Sequence, residues 1–227
     1  SQVFRRLAGA PEGGAPEAAP EGLDRLAGFG PRVTPCLGPH AIYTVDEPVL
    51  SGIAELSATR RVPVQIHISE TEVEVTDCLA AHKCRPAEYL DRVGLLTEHT
   101  VLSHGVWLDD AELALIAERG STIVTNPVSN MKLAVGKAFP YRAARAAGIP
   151  IGIGTDGVAS NNSLDLFAEL KILALLQKQN EQDTKVLPAD EAWDIATGGL
   201  ARVRGGTPRA GGAPAGCVVV DERWGEG

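Results

Sequence analysis

Three histidines and one aspartate stand at or just past the C-terminal ends of predicted strands: His40 in Gly-Pro-His, His67 in Gln-Ile-His, His104 in Leu-Ser-His-Gly and Asp156 in Gly-Thr-Asp-Gly. Imidazole nitrogens and carboxylate oxygens are ligands for divalent zinc or iron, and both groups also move protons. Each gap between these positions leaves room for a whole βα unit. Side chains distant in sequence would therefore converge on the rim where (β/α) barrels build their active sites. A lone histidine reads more simply as a hydrogen-bonded structural residue, and His82 and His99, on a helix and in a polar turn, are read that way. Asp156 has an alternative role as the cap of the following turn, because Gly157 comes next.

Glu70 follows His67 by three residues in His-Ile-Ser-Glu-Thr-Glu. A carboxylate just beyond a metal ligand at a strand end can reach substrate and shuttle a proton. Its alternative is a helix N-terminal carboxylate that favours the macrodipole, since Thr71 opens a helical run. Glu72 and Glu74 receive no chemistry. Two stretches dense in turn formers, Asn126-Pro127-Val128-Ser129-Asn130 and Ser160-Asn161-Asn162-Ser163-Leu164-Asp165, follow strands and so lie at the pocket mouth.

The elements that position these residues are short apolar runs alternating with amphipathic stretches, the pattern of βα units around a parallel sheet. Five strands are predicted, over 32–37, 62–68, 100–103, 121–125 and 150–154. Asp46 with Pro48 opens one helix, Arg85-Pro86 another that stops at Gly94, and Asp109 with Glu112 spells a capping box closed by Gly120. The apolar run from Leu164 to Gln179 suits a helix on a barrel wall. Residues 1–30 read as a flexible linker rich in Ala, Pro, Gly and Glu, 31–205 as the partial barrel, and 206–227 as a tail. Five βα units do not close an eight-stranded barrel of ~250 residues, so upstream strands are expected from a further segment or a second chain.

With 227 residues, 44% of them hydrophobic and a formal charge of -8, the chain has a globular composition and no basic stretch for phosphate backbones or anionic lipid. Nucleic acid and membranes are excluded as partners on that basis. The expected location is the cytoplasm, because the start lacks a signal-peptide core. Cys36, Cys78, Cys84 and Cys217 have neither metal-ribbon spacing nor the density of a disulfide scaffold, and are read as reduced thiols.

Taken together, Gly38-Pro39-His40-Ala41, His67-Ile68-Ser69-Glu70-Thr71-Glu72, Ser103-His104-Gly105, Asn126 to Lys132, and Gly154-Thr155-Asp156-Gly157 followed by Ser-Asn-Asn-Ser-Leu-Asp resemble the 5′-methylthioadenosine/S-adenosylhomocysteine deaminases of the amidohydrolase superfamily. The resemblance implies an α/β fold, a (β/α)8 barrel of which strands four to eight are present, with a small β-sandwich to which Val218–Val220 would belong. It implies one Zn2+ or Fe2+ per site held by His67 and Asp156, with His40 on the nucleoside and His104 hydrogen-bonded to the attacking water. Glu70 would protonate the purine ring and Asp156 would take the proton of the water. The reaction implied is hydrolytic deamination of an adenosine-type thioether nucleoside to an inosine-type product and ammonia, in a homo-oligomer or with a covering segment. Two alternatives stand beside it: a nucleoside-binding remnant without turnover, and an amidohydrolase acting on another aminated or halogenated ring. No His-x-His pair, with which that family begins its metal site, occurs in these residues, so weak metal affinity and little activity are expected of the chain alone.

Overall fold

Short β-rich runs, bounded by turn formers, become the strands of one parallel sheet. The computed structural model describes Pro20, residues 22–24 and residues 35–198. Within them β1 (Val64–Ile68), β2 (Thr100–His104), β3 (Thr122–Thr125) and β4 (Ile151–Ile153) lie in the order β1-β2-β3-β4, every neighbouring pair parallel. Every residue of β2, β3 and β4 is buried, which is why these strands read as near-continuous runs without alternation. β1 alternates instead, with Ile66 and Ile68 in the core and His67 half-buried on the opposite face.

The strand expected over 32–37 is described only from Pro35 onward. The segment from Leu37 to Ala41 pairs with β1 only through isolated parallel bridges, Leu37 with Val64 and Ala41 with His67. Pro35 and Pro39 carry no N–H and interrupt this segment, so a continuous ladder is impossible there. Three bonds remain: Leu37 N–H to Pro63 O, Gln65 N–H to Leu37 O and His67 N–H to His40 O. Most of the expected linker over 1–30 and the whole tail over 206–227, Val218–Val220 included, also lie outside the described residues.

Helices fill the crossovers. α1 (Glu47–Arg60) begins after Asp46 with Pro48 in its first turn, although the Asp46 side chain makes no capping bond. α2 (Glu72–His82) and α3 (Pro86–Arg92) follow β1, and α4 (Asp110–Arg119) follows β2. The capping box is formed: Asp109 accepts from Glu112 N–H, Glu112 accepts from Asp109 N–H, and Gly120 ends the helix at φ 75°. α5 (Pro127–Lys132) and α6 (Tyr141–Ala146) lie between β3 and β4, and α7 (Val158–Asn161), α8 (Leu166–Glu181) and α9 (Ala189–Gly198) come after β4. The long apolar helix starts at Asp165, whose carboxylate accepts from Phe167 and Ala168 N–H. No helix among the described residues is long and apolar enough to cross a membrane.

Leu37, Leu50, Ile53, Ile66, Ile68, Leu90, Leu102, Leu113, Ile116 and the rings of Tyr89 and Phe139 form one fully buried core between sheet and helices. Each such side chain contributes roughly 1.5–3 kcal/mol. Glu112 is one of the polar residues buried with them. Its buried carboxylate accepts from Ala87 N–H at 3.0 Å, from Arg85 Nε at 2.7 Å and from Asp109 N–H at 3.2 Å, which joins the starts of α3 and α4. Burial raises its pKa, against the hydrogen bonds from Ala87 and Arg85. Glu112→Ala strands these donors and is expected to cost about 2–4 kcal/mol in urea unfolding; a midpoint within error of the native chain would refute that coupling.

Candidate functional site

His67 is held by one carbonyl. The His40 oxygen accepts both the backbone N–H of His67 at 2.9 Å and its ring Nδ1–H at 2.7 Å. A ring whose Nδ1–H is donated presents its Nε2 lone pair on the other side, the form in which imidazole ligates metals. The ring of His40 lies 4.9 Å from that of His67, with its own Nδ1 2.9 Å from the Thr44 hydroxyl. Burial and then the neighbouring His67 lower the His40 pKa.

His104 closes β2 in a left-handed conformation, φ 73°, and Gly105 continues at φ 63°. A Cβ on Gly105 would meet Leu108 at 3.0 Å and Ile123 at 3.3 Å, so this turn needs glycine for both space and conformation. The His104 side chain is 1% exposed. Its Nδ1 lies 2.7 Å from Asn130 Oδ1 and 3.4 Å from Asn126 Nδ2; the shorter contact identifies Nδ1–H as donor to Asn130. The Nε2 that remains is buried without a hydrogen-bond partner. Burial lowers the His104 pKa against the opposing pull of Glu70, which favours the neutral ring.

Asp156 lies beyond β4, also left-handed at φ 58°. One carboxylate oxygen accepts the Ser129 hydroxyl and the other Gly157 N–H, each at 2.6 Å. Burial works to raise its pKa, but the hydrogen bonds from Ser129, Gly157 and Ser160 outweigh it and hold the carboxyl below the ordinary range. Gly154 lets Asn126 pass close to β4, since a Cβ there would lie 2.5 Å from Asn126 Oδ1.

These three elements converge. One donor atom each from His67, His104 and Asp156 lies within 4.8 Å of the others. Two imidazole nitrogens and one carboxylate oxygen form a set suited to Zn2+ or Fe2+, and the unpartnered Nε2 of His104 is the buried polar atom such an ion would satisfy. Glu70, 16% exposed, brings Oε2 to 3.8 Å from that Nε2. His40 flanks the cluster without joining it. Sequence spacing thus brought all five residues to one rim, while missing how they are held. Glu74, read as free of any role, is buried and binds the amides of Ser69 and Glu70. Buried Glu169 accepts from Val128 N–H at 3.0 Å and from the Asn161 amide, which also reaches Thr155 O. A cavity of about 420 Å³ between α5 and α8, lined by Asn130, Phe139, Leu173 and Gln177 among others, contains none of the three donors. The donor geometry, rather than this cavity, marks the site.

Comparison with known proteins agrees with the geometry. Residues 18–222 match the amidohydrolase family. A 5′-deoxyadenosine deaminase of Methanoregula boonei is 51% identical over 194 residues, 85% of this chain and 44% of that protein. A 5-methylthioadenosine/S-adenosylhomocysteine deaminase of Nitratidesulfovibrio vulgaris is 40% identical over 195 residues, again 85% of this chain and 44% of the relative. Among solved structures, a Xanthomonas campestris adenosine deaminase with bound zinc superimposes with a TM-score of 0.79 at 38% identity, covering 83% of this chain and 43% of that one. The chain spans less than half the length of these relatives, so its open four-stranded sheet is part of a barrel. It belongs to the amidohydrolase family.

Proposed function

We propose that the polypeptide carrying these residues is a cytoplasmic, metal-dependent hydrolytic deaminase of adenosine-type nucleosides. S-adenosylhomocysteine, 5′-methylthioadenosine and 5′-deoxyadenosine are its candidate substrates. The observation that carries this reading is the convergence of His67, His104 and Asp156 within 4.8 Å, with Glu70 3.8 Å from His104. His67, His104 and Asp156 would hold one Zn2+ or Fe2+, which supplies a water activated at neutral pH.

The remaining chemistry falls to side chains. Asp156, kept ionised by Ser129 and Gly157, accepts the proton of the attacking water. His104, its Nδ1 against Asn130 Oδ1, turns its Nε2 to the cluster as a third ligand or as a hydrogen-bond partner of the attacking water. Glu70 protonates the purine ring nitrogen as the amino-bearing carbon is attacked; the proton taken by Asp156 passes to the amino group, which leaves as ammonia, and the proton of the added hydroxyl returns to Glu70. His40 contacts the nucleoside from the half-buried edge of the site.

A covering segment or second chain completes the assembly. Among the described residues β4 pairs only with β3, and beyond it Val158, Leu164, Leu166, Phe167 and Trp193 are exposed, with the Phe167 and Trp193 rings 6.0 Å apart. An open parallel edge beside apolar side chains calls for a partner strand.

Two measurements test the assignment. Alanine at His67, His104 or Asp156 is expected to weaken zinc binding by roughly 100-fold in competition with a chromophoric chelator, as loss of even outer-shell partners costs 10–100-fold; unaltered binding in all three variants would overturn the metal site. Glu70→Gln is expected to lower kcat by roughly 100-fold or more, with zinc affinity unchanged, when ammonia release from the three nucleosides is followed. If the zinc-loaded native protein releases no ammonia from any of them, the deaminase reading fails.

A further inference from the structure

The sequence Thr71-Glu72-Val73-Glu74 has the form of a capping box, in which the third helical residue would bind the N-cap amide. Thr71 performs its half, accepting Glu74 N–H at 3.3 Å. Glu74 does not perform the other. Its Oε1 accepts Ser69 N–H at 2.8 Å and its Oε2 accepts Glu70 N–H at 2.9 Å. In α4 the equivalent Glu112 does bind the N-cap amide of Asp109. The difference shows that Glu74 serves the loop before the helix and not the helix end.

We infer that Glu74 is a positioning residue for Glu70, its buried carboxylate fixing the loop from which the Glu70 side chain reaches the His67, His104 and Asp156 cluster. Ser69 is left-handed at φ 47°, and that conformation turns two successive amides toward one point, a nest for an anion. The anion is built into the chain. Glu74 is 5% exposed, a burial that raises its pKa while the two amides lower it. A buried carboxylate is costly unless satisfied, and here both oxygens are used on two consecutive residues of the site. The same loop is tied from the other side, where Trp107 N–H donates to Ser69 O at 2.7 Å. With its backbone held on both faces, Glu70 leaves the loop in one direction and its Oε2 stands 3.8 Å from His104 Nε2.

Glutamine cannot substitute. It offers a single acceptor oxygen, and its NH2 would face the second backbone N–H. The inference rests on the reading of Glu70 as proton shuttle, and its test separates the two. In the zinc-loaded protein, Glu74→Gln is expected to raise amide exchange at Ser69 and Glu70 about tenfold or more, leaving the rest of α2 protected and zinc affinity unchanged. kcat should fall about 10–100-fold with KM little altered, the scale of a misplaced catalytic group. In a Glu70→Gln background the same change should cost nothing more, because Glu74 acts through Glu70. Unchanged exchange at Ser69 and Glu70 would overturn the inference, as would an equal loss of kcat in both backgrounds or a loss of zinc affinity. If Glu74→Gln does not fold, Glu74→Asp, which keeps the charge on a shorter arm, carries the same comparison. Should the native protein release no ammonia, the deaminase reading falls, and the exchange comparison still decides whether Glu74 holds the loop.

Discussion

Three non-glycine residues of the site, Ser69, His104 and Asp156, hold left-handed backbone at φ 47°, 73° and 58°, and the positions of all the chemical groups depend on keeping the chain there. Each is disfavoured by about 1–2 kcal/mol relative to ordinary backbone. A strand that simply ran on would carry its next side chain away from the rim. The left-handed turn bends the main chain back while the side chain stays over the strand end. Hydrogen bonds between neighbouring strand ends hold the turns against their cost: Gly105 N–H donates to Ile68 O at 3.0 Å, Trp107 N–H to Ser69 O at 2.7 Å, and Gly154 N–H to Thr125 O at 3.0 Å. The backbone of the site is thereby built from the sheet outward, and the helices add the side chains that orient its groups.

A second device recurs at three points where the chain passes between elements. Backbone amides at such points have no ladder partner, and buried glutamates take them: Glu74 for Ser69 and Glu70, Glu112 for Ala87 and Asp109, Glu169 for Val128. Glu169 does the most for the site. Through Asn161 it is joined to Thr155 O, beside Asp156, and through Val128 to the first turn of α5, whose Ser129 binds Asp156 and whose Asn130 orients His104. The β3 and β4 ends are thus fixed by a single carboxylate on α8.

This division explains what was legible in the sequence. Strand-end placement of His67, His104 and Asp156 comes from hydrophobic runs and barrel geometry, and the helix starts at Asp109 and Arg85-Pro86 come from capping chemistry; both are local patterns. Of the first expected strand only residues 35–37 are described, and there Pro35 and the following Pro39 leave isolated bridges in place of a ladder. Glu74 and Glu169 were invisible for a different reason. Nothing local distinguishes a glutamate that faces water from one that reaches a distant amide, and the Thr71-x-x-Glu74 pattern points to a cap that is not made. Asp46 shows the converse, since it occupies the cap position without making the capping bond.

The charged groups of the cluster link these supports to the proposed reaction. The rings of His67 and His104 each have Nδ1 tied to a protein oxygen, and the carboxylates nearby are those of Asp156, Glu70 and, behind the loop, Glu74. Hydrogen bonds keep Asp156 in its ionised form, whereas the side-chain oxygens of Glu70 face His104 Nε2 at 3.8 Å, beyond hydrogen-bond length. Among the described residues the carboxylate of Asp156 is thus held on both oxygens, and that of Glu70 has no such partner. The difference lies in their surroundings, with Ser129 and Gly157 binding one carboxylate directly while Glu74 binds only the backbone of the other.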